Sequence, residues 1–189
     1  VTIGETFAPI NTAVCVPVSF TGFTQLTNLE FSINWDFDGL QFEEVDFTGV
    51  LPSFSDDDFD LTDVANGNIT IDWAPFNAVL GETVADDAPV FELCFTTIGE
   101  PDDCISIFPS GTPQEILVTT APSGNDTNLG LTGYVGAVCI TGQLMVDDIQ
   151  TVGVDCPGTE NGSINIEVTG GNAPFSYIWS GPSITGDNE

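Results

Sequence analysis

Hydrophobic and polar residues alternate along most of this chain. In AVCVPVSF, residues 13–20, Val14, Val16, Val18 and Phe20 point one way. In LEFSINWD, residues 29–36, Leu29, Phe31, Ile33 and Trp35 point inward beside outward Glu30, Ser32 and Asn34. A period of two is the mark of a strand buried on one face. The same reading covers LQFEEVDF, NITIDW with Ile69, Ile71 and Trp73 inward, VFELCFTTI, CISIFPS, EILVTT and VGAVCITG. No segment sustains an apolar period of 3.6, so the expected class is all-β, and about nine such strands make a two-sheet sandwich or jelly roll.

The pattern changes near GQLMVDDIQTVGVDCPG. We expect a β-sandwich over 1–143, an acidic connector over 144–155, and a partial immunoglobulin-like β unit over 156–189. In the last, Ile164, Ile166 and Val168 alternate, Asn161-Gly162 and Gly170-Gly171 supply turns, and Tyr177 and Trp179 flank Ile178 on a further strand. Two or three strands do not close a sandwich. The expectation is that chain beyond Glu189, or strands from another copy, complete it. A start at Val1 without Met reads as a processed or excised product.

Charge narrows the classes of function. The 189 residues hold 29 Asp plus Glu and no Lys, Arg or His, for a formal charge of −29. Self-repulsion on this scale calls for screening or binding cations, which suits a salty, divalent-rich medium. Nucleic acid as a partner is excluded, because phosphate binding relies on Lys and Arg. Anionic lipid surfaces fall to the same argument. General-base chemistry on His or Lys has no residues to use, which leaves carboxylates or bound metal. With 41% hydrophobic residues, including 14 Phe and 3 Trp, the chain is nonetheless far too apolar to be a disordered acidic tail. No apolar run approaches the roughly 20 residues that would span a bilayer.

Five cysteines, Cys15, Cys94, Cys104, Cys139 and Cys156, lack the close pairs and histidines of zinc sites. Disulfides are the better reading, and they imply an extracellular compartment. Cys15 and Cys94 fall on the outward faces of their strands, where neighbouring strands can place them at bridging distance. Two bridges among the first four would leave Cys156 unpaired within the chain. Spacing alone does not select the connectivity: Cys15–Cys94 with Cys104–Cys139, Cys94–Cys104 with Cys15–Cys139, and Cys15–Cys104 with Cys94–Cys139 all remain open.

The acidic candidates fall into two groups. SDDDFDLTD, with Asp56, Asp57, Asp58, Asp60 and Asp63, offers clustered hard oxygen ligands of the kind calcium takes, without EF-hand spacing. Asp147, Asp148 and Asp155 form a second calcium candidate at the connector. The solvated acidic loop and the flexible hinge are the plain alternatives. Asp36, Asp38, Asp86, Asp87, Asp102 and Asp103 read as turn residues. No carboxylate pair is singled out for glycoside hydrolysis, and no catalytic motif is present, so the chain is not expected to be an enzyme.

Two resemblances carry the reading further. GETFAPINTAVCVPVSFTGFTQLTNLEFSINWDFDGLQFEEV, with NGNITIDW, VFELCFTTIG and VGAVCITG, resembles the cohesin-type domain of very large Bacteroidota surface proteins, over residues 1 to about 142. Cys156, Asn161-Gly162-Ser163, Gly170-Gly171, Pro174-Phe175 and Trp179-Ser180 resemble the first half of the SprB-type repeat of gliding adhesins. The first resemblance implies a nine-stranded jelly-roll sandwich with Cys15 bridged to Cys94 on neighbouring strands, and hence Cys104 to Cys139. The second implies an immunoglobulin-like unit strung in tandem. Dockerin-binding cohesins present a partly apolar sheet face, whereas the outward residues here are Glu30, Ser32, Asn34, Thr70 and Asp72. The expected function is a non-catalytic structural or adhesive module of a long surface protein or fibre. The alternative is a cohesin-type module that recognises a protein or glycan through a sheet face. The expected partners are other copies or neighbouring domains, by strand complementation.

Overall fold

The computed structural model describes residues 1–77, 79–121, 128–142, 144–153, 161–171 and 174–179. The chain divides into two compact units, Val1–Ile140 and Thr141–Glu189.

The first unit is built from β1 (Thr2–Ile3), β2 (Glu5–Pro9), β3 (Ala13–Ser19), β4 (Leu26–Trp35), β5 (Leu40–Phe47), β6 (Phe59–Asp60), β7 (Asn68–Trp73), β8 (Pro89–Thr97), β9 (Cys104–Ser110), β10 (Leu117–Thr120) and β11 (Gly136–Thr141). Single 3-10 turns at Asp56–Asp58 and Val64–Asn66 flank β6. One sheet runs β1-β3-β8-β5; the other runs β2-β11-β9-β4-β7-β6, with β10 also against β4. β1–β3, β3–β8 and β5–β8 pair antiparallel in the first, and β9–β11, β4–β9, β4–β7, β4–β10 and β6–β7 in the second, while Thr2 bridges Tyr134 in parallel. The fold is the all-β sandwich that the alternation predicts.

The core lies between the sheets. Val16 and Val18 from β3, Phe91, Leu93 and Phe95 from β8, and Leu40 from β5 meet Leu29, Phe31, Ile33, Ile69, Ile71 and Trp73 from β4 and β7, all fully buried. Each such aliphatic or Phe side chain withdrawn from water contributes about 1.5–3 kcal/mol before the entropy of ordering it is subtracted. Aromatic contacts tie the layer together: Phe54 stacks on Trp73 at 5.5 Å and on Phe91 at 5.6 Å, and Trp35 meets Phe95 edge to face at 5.2 Å. Both tryptophans also place their ring N–H. That of Trp35 donates to the Leu40 carbonyl at 3.2 Å, and that of Trp73 donates to Ser53 Oγ at 3.1 Å. Ser53 in turn donates to the Glu82 carboxylate at 2.8 Å, so a buried indole is joined to an acidic group through one hydroxyl.

Gly67 is required by a close approach. It sits at φ +74° with its carbonyl accepting from Trp35 N–H at 2.9 Å. A Cβ there would stand 2.1 Å from the Trp35 carbonyl oxygen. No side chain fits between the turn and the strand it caps.

Three expectations are corrected by the structure. LQFEEVDF does not alternate strictly: the register on β8 shifts between Phe42, opposite Phe95, and Glu44, opposite Cys94. Glu43 is the extra residue of a bulge, and it allows Phe42 and Val45, three apart, to face the same core. Ser32, expected to face outward into solvent, is fully buried. Its hydroxyl accepts from Gln114 N–H at 2.9 Å, because the 111–116 connection from β9 to β10 closes over it. The stretch 144–155, expected as a connector, contains a strand.

That strand is β12 (Met145–Val152), which pairs antiparallel with β13 (Ser163–Thr169) in the second unit. Here too a bulge hid the pattern. The register passes from Val146 opposite Val168 to Asp148 opposite Glu167, leaving Asp147 as the extra residue. Val146, Ile149 and Thr151 therefore line up across from Val168, Ile166 and Ile164. Of the further strand expected around Ile178, the described residues 174–179 show a β-bridge at Tyr177.

Candidate functional site

The outer face of the larger sheet is the best-formed candidate surface in the first unit. Inward residues of β4, β7 and β9 alternate with outward ones, and register decides which outward residues meet. Asn34 stands opposite Phe108 on one side and Asn68 on the other. Glu30 stands opposite Asp72, and Thr70 lies between Ser32 and Asp60. Phe108 is 41% exposed, an aromatic ring at the surface two residues along β9 from Ser106 and opposite Asn34. Phe108 was not singled out from sequence, although the phase of Cys104, Ser106 and Phe108 against buried Ile105 and Ile107 contains the signal.

Part of this face is closed. Both oxygens of Glu30 accept from side-chain amides, one from Asn28 at 2.7 Å and the other from Gln114. Ser110 donates to Asn34 Oδ1, fixing its amide beside Phe108. The outward residues left exposed are Ser106 and Phe108 on β9 and Asp72 on β7, with the acids of the β6 region beyond β7. Burial raises the Asp58 carboxyl above the usual aspartate range, with the charges of Asp57 and Asp72 adding to it against the hydrogen bonds from Ser55. Asp60 is held below that range by hydrogen bonds from Thr62.

The expected calcium residues are used locally. Asp58 accepts from Ser55 N–H at 2.8 Å and closes the first 3-10 turn. Asp60 accepts from Thr62 N–H at 2.9 Å, and Asp63 accepts from the Asn66 side chain. Asp56 and Asp57 lie in the same 3-10 turn. Asp147 is the bulge residue of β12, and Asp148 accepts from Gln150 at 2.9 Å. Asp155 and Cys156 lie outside the described residues. Among the described residues no three Asp, Glu or Cys side chains are grouped so as to hold a metal ion. Asp36 accepts from Asp38 N–H at 3.0 Å, and Asp87 and Asp102 have left-handed backbones, all as turn residues.

The structure bonds Cys15 to Cys94 and Cys104 to Cys139. Each bond joins residues directly opposed on neighbouring antiparallel strands, β3 with β8 and β9 with β11. Their Cα atoms are 4.0 and 3.9 Å apart. One disulfide thus crosses each sheet, and the second borders the face that carries Ser106 and Phe108. No described helix is long and apolar enough to cross a membrane.

Comparisons with known proteins follow the two units. Residues 149–183 match the family model described as the SprB repeat. The sixth cohesin of scaffoldin B from Acetivibrio cellulolyticus, solved in complex with a Cel5 dockerin, is similar with a TM-score of 0.60 and 16% identity, over 74% of this chain and 96% of that one. The seventh type I ScaB cohesin from Pseudobacteroides cellulosolvens gives 0.60 and 13%, over 75% and 90%. A non-cellulosomal cohesin from the archaeon Archaeoglobus fulgidus gives 0.52 and 17%, over 72% and 88%. No curated protein matches the chain. This chain therefore carries a cohesin-fold β-sandwich followed by a segment that matches the SprB repeat.

Proposed function

We propose that the chain is a non-catalytic adhesive and binding module of a long extracellular surface protein. One observation carries the reading: a cohesin-fold sandwich and an SprB-repeat match occur on one chain. Both kinds of unit are binding or structural modules, and two disulfides suit an oxidising, extracellular setting. Exposed Met145, Val146, Ile149 and Ile164 on β12 and β13 are what a neighbouring domain or another copy would cover. Cell fractionation with an antibody against the chain tests location, and protection of the surface protein from added protease would count against it.

A second reading has a specific observation in its favour. The cohesins of similar fold include ones solved with dockerins, and here the corresponding kind of surface, an outer sheet face, presents Phe108 amid small polar residues. Aromatic side chains rimmed by polar groups are typical anchors of protein interfaces. Recognition of a protein or glycan ligand through this face is tested by screening the full chain against dockerins and polysaccharides. Saturable binding that Phe108→Asp abolishes supports it; binding that survives Phe108→Asp overturns the assignment to this face.

A further inference from the structure

An apolar groove opens to solvent in the first unit where the β4–β5 turn, the Val64–Asn66 3-10 turn and the β8–β9 turn meet. Phe37, Gln41, Phe42, Val64, Ala65 and Ile98 line it. Phe37 is 46% exposed and Ile98 41%, large apolar side chains side by side at the surface. The groove is held from behind. Gly39 and Leu40 N–H both donate to the Asp36 carbonyl at 3.2 Å, and the Gly39 carbonyl accepts from Ile98 N–H at 2.9 Å and Gly99 N–H at 3.0 Å. The bond from Trp35 N–H to the Gly67 carbonyl ties the Val64–Asn66 turn to the same strand end. The half-buried ring of Phe42 stacks on Trp35 at 5.9 Å and meets Phe95 edge to face at 6.0 Å. A partner docking here has little of this surface left to order, which removes one of the main costs of association.

Carboxylates accompany these apolar side chains on every segment that contributes to the groove. Asp36 and Asp38 flank Phe37, Glu43 follows Phe42, Asp63 precedes Val64, and Glu100 lies two places after Ile98. All five acids are exposed. Consecutive Cα atoms are about 3.8 Å apart, so each acid has its Cα within roughly 8 Å of that of a lining residue. That is about one Debye length at physiological salt, near enough for their charges to act on whatever fills the groove. Glu43 is placed more closely still, because its carboxylate accepts from the side-chain amide of Gln41, a lining residue, at 3.3 Å. The chain has no Lys, Arg or His to offset these charges.

From this geometry we infer that the groove is a docking site for a basic segment of another protein, in which an apolar side chain fills the groove and flanking Lys or Arg residues meet the surrounding acids. Charge complementarity selects this occupant. A second copy of the chain would set acid against acid with no base on either side. Nucleic acid and anionic lipid are repelled by the same charges. A neutral ligand would gain the apolar lining and leave the acids unmatched. Lys or Arg gains twice, from the carboxylates and from the exposed ring of Phe37, whose face attracts cations. The groove shares no lining residue with the sheet face around Phe108, so the two binding readings stand or fall separately.

The test uses the full chain and three short peptides with blocked ends: Leu flanked by two Arg on each side, the same peptide with Ser in place of Leu, and Leu flanked by Ser alone. Each is titrated by calorimetry at physiological ionic strength, with amide resonances as the map. The expected result is saturable binding of one equivalent of the first peptide, at least tenfold tighter than either of the others. Shifts should centre on the amides of Phe37, Gln41, Ala65 and Ile98. Ile98→Ser should weaken the first peptide at least fivefold, and Asp38→Asn should weaken it while flattening its dependence on NaCl. Phe108→Asp should leave it unchanged. If a groove variant fails to fold, the ranking of the peptides and the amide map decide. Equal binding of the two Arg peptides would mean charge alone, and equal binding of the two Leu peptides apolar contact alone; either overturns the inference. So do absence of saturation, shifts centred on Ser106 and Phe108 or on β12 and β13, and self-association of the chain through the same amides before peptide is added.

Discussion

Asp46 on β5 stands directly opposite Glu92 on β8, two carboxylates paired across neighbouring antiparallel strands. The chain has no Lys, Arg or His to place between them. Like charges in this relationship oppose pairing by about 0.2–1 kcal/mol, and salt screens the effect at exposed positions. Asp46→Asn is expected to raise the midpoint of denaturation at low ionic strength, with the gain shrinking as NaCl is added. Urea titrations at several salt concentrations measure this, and a gain independent of salt would assign it to another cause.

The facing pair Glu30 and Asp72 is expected to behave differently, because Asn28 and Gln114 already donate to Glu30. Glu30→Leu removes an acceptor from both amides and should destabilise, by about 1–3 kcal/mol if the amides stay unpaired. The direction is opposite to that of Asp46→Asn although both substitutions delete a carboxylate from a like-charged pair. Parallel denaturation of the two variants makes the comparison.

Acid should separate Asp58 from Asp60. Asp58 is raised by burial, so in the folded state it holds its proton to higher pH than in the unfolded chain. Its contribution is fully present below the unfolded value and is lost as pH rises through the folded one. Asp60 is lowered by its bonds from Thr62, so its contribution is present above the unfolded value and lost as pH falls through the folded one. Asp58→Asn should remove a rise in stability toward acid, and Asp60→Asn should remove a fall. Stability measured from neutral pH down through the carboxylate range, for each variant against the parent, checks both signs.

Calcium at Asp56, Asp57, Asp58, Asp60 and Asp63 is a separate proposal, motivated by a formal charge of −29 with no Lys, Arg or His to offset it. Thermal midpoints in EGTA and in calcium at matched ionic strength test it: a calcium-specific rise supports a site, and identical midpoints overturn it.

Packing predictions are larger. Trp73→Ala should cost about 3–5 kcal/mol, since the ring is fully buried and stacks on Phe54. Trp73→Phe should cost less, and Ser53→Ala should leave the indole N–H without its acceptor. Differential scanning calorimetry on the three variants orders them.

How much of this was legible in the sequence depends on whether the cause was local. Strand alternation places Phe31, Ile33, Ile69, Ile71 and Trp73 inside because period two is a property of the strand itself. It fails where one added residue resets the phase, at Glu43 and at Asp147. An acidic residue within a strand reads as an outward position, and nothing local distinguishes it from a bulge. It also misses β2, whose Phe7 is exposed while Ala8 is buried. The burial of Ser32 is beyond local reading, since the cover comes from residues some eighty positions later. The exposed ring of Phe108 was within reach, because its neighbours Ile105 and Ile107 fix the inward phase of β9.

The two crossing disulfides also determine how the first unit responds to being pulled from its ends. Cys15–Cys94 closes off 79 positions of chain and Cys104–Cys139 closes off 35. Residues 1–14, 95–103 and 140 alone lie outside both loops. Complete rupture of the sandwich would release about two dozen residues, on the order of 80 Å of contour against nearly 500 Å for the reduced chain. Under oxidising conditions a unit that gives way releases only about a sixth of the contour it releases when reduced, so a tether built from such units would stay short when loaded, and reducing it would turn a stiff link into a long, compliant one.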